Sequence, residues 1–157
     1  MSQINHWLFK SDPSSYSYDD LLNEPDQTAE WDGVRNYQAR NMLRDQIKIG
    51  DQVLFYNSNS DPLAIVGTAV VVRSGYPDFT AWDPNSIHYD STSSVENPRW
   101  YMVDIRAIMK FSIPLLLPIL KVTPGLENMM LVQKRGSRLS IQPVTKAEWE
   151  IITTISK

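Results

Sequence analysis

Two long apolar runs in the middle of the chain constrain its fold more than any other feature. Residues 52–56 (QVLFY) and 64–73 (AIVGTAVVVR) are rich in β-branched and aromatic side chains, and residues 57–62 (NSNSDP) between them have turn composition. This pattern predicts a hairpin of two strands that are buried on both faces. Gly67 inside the second run indicates a bulge or a close approach of another group to the backbone. The rest of the core must therefore be built around a sheet.

Alternation of apolar and polar residues predicts the other strands, over residues 4–10, 99–110 and 137–144. Short helices are predicted over residues 18–22, from the N-cap Asn36 to near Gly50, over 113–121, and from the capping box at 145–148 onward. Residues 23–30 and 74–97 are predicted loops. Five or six strands with so little helix predict a mixed α+β fold, a small β-barrel flanked by short helices, as one domain over residues 1–157.

Composition excludes several classes of protein. The 157 residues include no cysteine, which rules out disulfides, thiolate metal sites and cysteine nucleophiles. The net charge of −3 argues against a protein that coats nucleic acid nonspecifically, because such binding needs many cation–phosphate contacts. No apolar run is long enough to span a bilayer, and the first residues lack a secretory signal, so no membrane partner and a cytoplasmic location are predicted.

Enzymatic chemistry finds little support in the sequence. The two histidines, His6 and His88, are far apart, and no nucleophile elbow accompanies them. Two histidines are also too few for a histidine-based metal site, and no glycine-rich nucleotide motif is present. We therefore expect no metal, no cofactor and no catalysis, although carboxylates distant in sequence could still pair in the fold.

The segment 31–44 (WDGVRNYQARNMLR) is the strongest candidate for ligand binding. Trp31 and Tyr37 offer ring faces for stacking, and Arg35 and Arg40 offer positive charge beside them. A flat or anionic ligand would find partners there. The alternative interpretation is that the aromatic residues pack in the core and the arginines are solvated.

Six motifs in order along the chain resemble the EVE domain family of the PUA-like superfamily. They are WLFKSDP (7–13), WDGVRNYQARNMLR (31–44), GDQVLFYNSNS (50–60), IVGTAVVV (65–72), PRWYMVD (98–104) and RGSRLSIQPVTKAEWE (135–150). The resemblance implies a PUA-like β-barrel, similar to the YTH domains that read methylated adenine in RNA. It also implies a non-catalytic reader of a modified base, with a modified cytosine in DNA favoured, flipped into an aromatic and polar pocket.

The resemblance further implies which residues form the pocket. One side would consist of Lys10, Ser11, Trp31, Asn36 and Tyr37, and the other of Ser58, Asn59, Arg138 and Ser140. Trp31 and Tyr37 would stack on the base, and the hydroxyl and amide groups would bind its edge. Lys10, Arg35, Arg40 and Arg138 would hold the flanking phosphates.

Two departures of the chain from the family pattern matter for binding. Asn57 stands where the family usually has histidine, and Asp12 where it usually has glutamate. Asparagine keeps a donor and an acceptor but loses the titratable ring, so the base preference of this chain is expected to differ.

Two other functions stay open from the sequence. One is an RNA-binding PUA-like module that acts on modified RNA, and the other is a small-molecule-binding or hydrolytic domain that uses the same pocket. Nucleic acid with a modified base, DNA before RNA, is the predicted partner, and the sequence indicates no protein partner.

Overall fold

Residues 4–133 and 138–156, the part that the computed structural model describes, form one six-stranded sheet with four short α-helices. The strands are β1 (His6–Ser11), β2 (Thr28–Glu30), β3 (Gln52–Asn57), β4 (Ala64–Pro77), β5 (Tyr101–Leu116) and β6 (Ile141–Val144). The α-helices are α1 (Tyr18–Leu22), α2 (Tyr37–Asn41), α3 (Leu117–Lys121) and α4 (Lys146–Ile155). A π-helical turn, Met42–Gln46, extends α2, and 3₁₀ turns occupy Pro25–Gln27, Phe79–Trp82 and Met130–Val132.

The sheet has the strand order β2-β5-β4-β3-β1-β6 and is not closed. All neighbours are antiparallel except β1 and β3, which run parallel. The predicted α+β class with six strands is confirmed. The expected closure into a barrel is corrected, because β2 and β6 lie at the two edges of the sheet rather than beside each other.

The central hairpin predicted from the apolar runs is confirmed as β3 and β4. Its register shifts between Phe55 and Tyr56, which is a bulge of the kind that Gly67 indicated. A Cβ atom at Gly67 would lie 2.7 Å from the carbonyl oxygen of Met109 and 2.8 Å from the ring of Tyr18. Glycine is therefore required there by the close approach of its neighbours.

The structure corrects the predicted elements in four places. Strand β4 continues to Pro77, into the predicted loop 74–97. Residues 113–116 end β5 instead of beginning a helix, and Pro114 lies in the stretch between Lys110 and Leu115 where the ladder to β4 is interrupted. No ladder donor is lost there, so proline is tolerated. The predicted loop 23–30 contains the short strand β2. The strand predicted over 137–144 is shorter, Ile141–Val144, and residue 137 lies outside the described residues.

Alternating side chains of β1 and β3 place core on both faces of the sheet. Trp7, Phe9, Val53 and Phe55 belong to the larger cluster, which packs against α1 and α2. The intervening residues Leu8, Leu54 and Tyr56 belong to a second cluster, to which α3 contributes Leu120 and α4 contributes Ile152. Both faces are therefore buried, as the near-continuous apolar sequence of β3 predicts.

Across residues 4–133 and 138–156, no helix combines the length and the apolar character that crossing a bilayer requires.

Candidate functional site

The carboxyl ends of the parallel strands β1 and β3 lie side by side. Lys10 is opposite Tyr56 and Ser11 is opposite Asn57, and the backbone N–H of Ser58 donates to the carbonyl of Ser11 at 2.9 Å. Because side chains alternate along a strand, Lys10 and Tyr56 share one face of the sheet while Ser11 and Asn57 share the other. The strand ends thus present two different surfaces.

A cleft of about 740 Å³ opens on the Lys10 face of these strand ends. We call it the polar cleft; it is lined by Lys10, Tyr56, Ser58, Asn59, Leu63, Leu117, Lys121, Leu131, Val132, Gln133, Arg138 and Ser140. Its volume lies in the range of small-molecule sites, roughly 300–1,000 Å³. Three of the described lining residues are cations and none is a carboxylate, although the whole chain carries a net charge of −3.

Five of the predicted site residues meet in the polar cleft: Lys10, Ser58, Asn59, Arg138 and Ser140. The backbone N–H of Lys10 donates to the carbonyl of Ser140 at 2.9 Å, which joins the end of β1 to the segment before β6. Asn59 has a φ of +50°, a left-handed conformation that asparagine adopts more readily than most residues. The turn residues predicted over 57–62 therefore allow the backbone conformation that places Asn59 at the cleft.

Lys10 supplies a partly desolvated cation. Burial lowers the pKa of its ammonium below the ordinary value, and its Nζ atom lies 6.0 Å from the centroid of the Tyr56 ring. Desolvation disfavours the charged form, so an anion placed beside Lys10 would recover free energy that burial has removed.

Sequence reasoning missed the contributions of Lys121, Tyr56 and Gln133 to the polar cleft. Lys121 ends α3, and its only signal was a basic residue at the end of an apolar helix. The sequence predicts Tyr56 to be a core residue. Its side chain is buried in the second cluster and also lines the cleft.

Trp31 does not line the polar cleft, which corrects the predicted stacking wall. It is only 9% exposed, and its ring packs against Phe9 at 5.3 Å and Phe55 at 5.6 Å, with Tyr16 edge-on at 6.3 Å. Trp31 follows the edge strand β2, and its backbone N–H donates to the carbonyl of Val103. The indole is therefore a core residue of the larger cluster, as the alternative interpretation of the segment 31–44 held.

Ser11 and Asn36 also lie away from the lining of the cleft. The hydroxyl of Ser11 donates to the carbonyl of Tyr16 at 2.6 Å, across the turn that follows β1. The side-chain oxygen of Asn36 accepts from the backbone N–H of Ala39 at 2.9 Å, which confirms its predicted role as the N-cap of α2. Both side chains are thus engaged in local structure.

Arg35 is engaged in an ion pair with a buried carboxylate. Its Nη1 atom lies 3.0 Å from Oδ2 of Asp78, and its Nη2 donates to the carbonyl of His88 at 2.6 Å. Asp78 is fully buried; burial by itself would raise its pKa, but hydrogen bonds from Thr80, Gly33 and Arg35 lower the pKa below the ordinary value. Arg35 therefore holds the segment 31–36 against the loop after β4.

Tyr37 and Arg40 form a layered surface with Arg35 and Trp100. The Arg35 guanidinium lies 5.3 Å from the Trp100 ring, Tyr37 stacks on Trp100 at 5.0 Å, and the Arg40 guanidinium lies 4.9 Å from the Tyr37 ring. Nη1 of Arg40 also donates to the carbonyl of Arg99 at 2.8 Å. The structure therefore separates the predicted site into the polar cleft and this second surface, which we call the arginine–aromatic stack.

Two buried polar atoms have no hydrogen-bond partner within the described part of the chain and lie on residues that flank Ser11. They are the hydroxyl of Tyr16 and Oδ1 of Asn57. Burial, followed by the nearby charges of Glu24, Asp20 and Asp32, raises the pKa of Tyr16 to about 12. Sequence reasoning did not single out Tyr16, and it noted Asn57 only as a departure from the family.

A second concave surface, of about 680 Å³, lies beside β2 and β5. Its charged lining residues are Asp26, Glu30, Asp104 and Arg106. Acidic residues dominate there, so this groove is electrostatically unsuited to phosphate. Among the described residues, no cluster of three or more histidine, aspartate or glutamate side chains is placed to hold a metal ion.

The sequence model of the EVE domain matches residues 5–155. Human thymocyte nuclear protein 1 is 41% identical over 170 aligned positions, which cover 98% of this chain and 74% of that protein. Among solved structures, a Pseudomonas putida protein superposes with a TM-score of 0.90 at 41% identity, covering 97% of this chain and 99% of that one. Human THYN1, solved in complex with DNA containing 5-methylcytosine, superposes with a TM-score of 0.88 at 39% identity, covering 98% of each chain.

The names of these relatives contradict the cytoplasmic location predicted from the sequence. The human, chicken and mouse relatives are each named a nuclear protein, which points to the nucleus rather than the cytoplasm. The prediction relied on the lack of a signal or membrane segment, and such a lack does not distinguish these two compartments.

Proposed function

The chain belongs to the EVE domain family, and we propose that it is a non-catalytic reader that binds DNA containing a modified cytosine through the polar cleft. The observation that carries the proposal is the concentration of Lys10, Lys121 and Arg138 around one cleft without a carboxylate among its described lining residues. The similarity to human THYN1, solved with DNA containing 5-methylcytosine, supports the choice of ligand.

Each part of the polar cleft suits one part of a nucleotide. The three cations hold phosphates, which supply most of the affinity and make it depend on salt. Ser58, Asn59 and Ser140 offer hydrogen bonds to the sugar and the base edge. A base in a duplex is inaccessible to such groups, so the modified base must leave the stack to reach the strand ends.

The lining also supports a binding role over a hydrolytic one. Its described polar members are hydroxyl, amide and cationic groups, without the histidine or carboxylate that most often serves as a general base. This composition favours recognition of an anion. It also disfavours the hydrolytic alternative left open by the sequence.

Fluorescence anisotropy with labelled duplexes tests the proposal. The duplexes differ only at one central position, which carries cytosine or 5-methylcytosine, and an RNA of the same sequence is the competitor. We expect tighter binding of the methylated duplex and a loss of about tenfold in affinity when Arg138 is replaced by alanine, since a charge-assisted contact is removed. Lys110→Ala is the matched control, because Lys110 is paired with Asp19 outside the cleft.

Equal affinity for methylated and plain DNA would reject the reader function. Preferential binding of the RNA would favour the RNA-binding alternative. Trp31→Ala is not a suitable test, because removal of a core indole would destabilise the fold whatever the ligand.

A further inference from the structure

The surroundings of Lys10 favour the neutral form of its amine. The side chain is half-buried, and burial lowers its pKa. Across residues 4–133 and 138–156, no carboxylate lies within ion-pair distance of its Nζ atom. The other charged side chains described in the lining of the polar cleft, Lys121 and Arg138, are both positive. A desolvated lysine beside other cations is an arrangement that activates the amine as a nucleophile.

The backbone around Lys10 fixes where this amine lies. Lys10 is opposite Tyr56 in the parallel pair of β1 and β3, and its backbone N–H donates to the carbonyl of Ser140 at 2.9 Å. Nζ lies 6.0 Å from the centroid of the Tyr56 ring, which is itself buried in the second cluster. The amine therefore lies against the inner wall of the polar cleft, on a strand that is hydrogen-bonded on both sides.

The three cations of the cleft are not equivalent toward a nucleotide. Arg138 carries a permanent charge, and Lys121 is exposed at the end of α3, so both suit phosphate contacts. A phosphate beside Lys10 would favour the protonated ammonium, which is not a nucleophile. An uncharged electrophile does not have this effect, and the electrophile with which a neutral lysine amine reacts most directly is a carbonyl group.

We propose that Lys10 captures an aldehyde group of DNA bound in the polar cleft as a reversible imine. The inference rests on the proposed function and adds a covalent step to it. The ligand class is DNA that carries an aldehyde, which has two chemical sources. One is the formyl group of 5-formylcytosine, and the other is the opened sugar of an abasic site. Both belong to a nucleotide that leaves the stack easily or has no base to stack.

The capture needs no oxidant, reductant or metal. The Lys10 ammonium first releases a proton to water, and the nitrogen lone pair then adds to the carbonyl carbon while the carbonyl oxygen takes up a proton. The resulting carbinolamine loses its hydroxyl group as water when a second proton is delivered, and a carbon–nitrogen double bond replaces the carbon–oxygen one. Water reverses the sequence. The capture is stoichiometric, so it holds the ligand without turnover.

Reductive trapping tests the proposal, because cyanoborohydride converts an imine to a stable secondary amine. Single-stranded oligonucleotides carry 5-formylcytosine, an abasic site, 5-methylcytosine or a tetrahydrofuran abasic analogue at one position, and the last two lack an aldehyde. We expect the wild-type protein to form an adduct only with aldehyde-bearing DNA, about tenfold faster than Lys10→Arg, which keeps the charge but loses the positioned amine. Peptide mapping by mass spectrometry should place the adduct on Lys10.

Lys110→Arg makes the same substitution at an exposed lysine that pairs with Asp19, and it should leave trapping unchanged. Adduct formation with one aldehyde oligonucleotide and not the other identifies the source of the aldehyde.

Three outcomes would overturn this inference and leave the reader function standing. They are binding of the aldehyde oligonucleotides without an adduct, an adduct that Lys10→Arg forms at the wild-type rate, and attachment to another lysine. An adduct on Lys10 without any anisotropy change for the 5-methylcytosine oligonucleotide would instead reject the reader function alone. Mapping of the wild-type adduct decides the matter even if Lys10→Arg does not fold.

Discussion

The guanidinium of Arg35 donates to the carboxylate of Asp78 with a separation of 3.0 Å, although the two residues are 43 positions apart in the sequence. The same carboxylate accepts from the backbone N–H of Gly33 at 2.8 Å and from that of Thr80 at 2.9 Å. One buried aspartate therefore fixes the segment between β2 and α2 against the loop after β4. Arg35, which the sequence predicts to contact a ligand, therefore stabilises the fold.

Replacement of Asp78 by alanine should destabilise the protein by about 2–4 kcal/mol, because it leaves a partly buried guanidinium and two backbone donors without their acceptor. Urea denaturation measures this change. Arg44→Ala is the control, since Arg44 pairs with Asp45 at the exposed surface, where such pairs contribute about 0–1 kcal/mol. Similar losses in the two variants would contradict the role assigned to Asp78.

Stability should fall in acid as Asp78 and Asp90 become protonated. Hydrogen bonds from Thr92 and Trp100 lower the pKa of Asp90 to about 2, and the pKa of Asp78 is also lowered. A carboxylate with a lowered folded-state pKa stabilises the fold above its unfolded pKa, roughly 4, and loses this contribution as the pH falls through the folded value. Melting temperatures between pH 6 and 2 should therefore drop, and the drop should be shallower in Asp90→Asn. An unchanged profile in that variant would exclude a contribution from Asp90.

Binding of methylated DNA should weaken at alkaline pH through Lys10. An anion favours the protonated ammonium, so binding raises the pKa that burial has lowered, and affinity falls as the pH rises through the value of the free protein. Lys10→Arg should shift this fall to higher pH, and Lys10→Met should remove it. Anisotropy titrations from pH 7 to 10 measure the effect, and Lys10→Met should also reduce the salt slope by about 1. Identical pH profiles for wild type and Lys10→Met would place Lys10 outside the site.

Gly33→Ala should destabilise the protein for two separable reasons. Gly33 has a φ of +78°, and a Cβ there would lie 2.5 Å from the His88 ring. The backbone strain alone costs about 1–2 kcal/mol, and the steric clash adds to it. In the double variant with His88→Ala the clash is removed and only the strain should persist. Urea denaturation of the wild type, the two single variants and the double variant should therefore show that the double variant loses less stability than the sum of the two single losses. Strict additivity would show that the imidazole does not cause the clash.

Tyr16→Phe and Tyr18→Phe should differ although burial raises the pKa of both tyrosines to about 12. The Tyr18 hydroxyl donates to the carbonyl of Thr68 at 2.7 Å, so its removal should cost about 1 kcal/mol. The Tyr16 hydroxyl has no described partner, so its removal should leave stability equal or slightly higher. Chemical denaturation of the two variants, compared side by side, checks this. A larger loss for Tyr16→Phe would reveal a partner for that hydroxyl.

Local sequence patterns predicted those features that depend on neighbouring residues. The hairpin of β3 and β4 follows from two apolar runs around a turn, and the N-cap Asn36 and the capping box at Thr145 begin α2 and α4. The length of β5 was not predictable in this way. Its continuation to Leu116 past Pro114 depends on pairing with Ala64 and Ile65, which are about fifty residues away.

The candidate site was predictable where it depends on residues that are neighbours in the sequence. Lys10 lies near the end of β1, Ser58 and Asn59 follow the end of β3, and a strand end is a local feature. Trp31 was misplaced because a tryptophan in a core and a tryptophan in a binding wall have the same sequence signature, and only its packing against Phe9 and Phe55 distinguishes them.

The sequence by itself determined the α+β class, the central hairpin, the helix caps and the set of polar residues at the strand ends, since each depends on contacts within a few residues. Only the tertiary structure decided that the sheet stays open and that Trp31 packs in the core. It also decided that Arg35 pairs with Asp78, whereas Lys10 faces the cleft. Those outcomes depend on which distant groups become neighbours when β1 pairs in parallel with β3. The burial of a side chain and its electrostatic interactions are set by these neighbours.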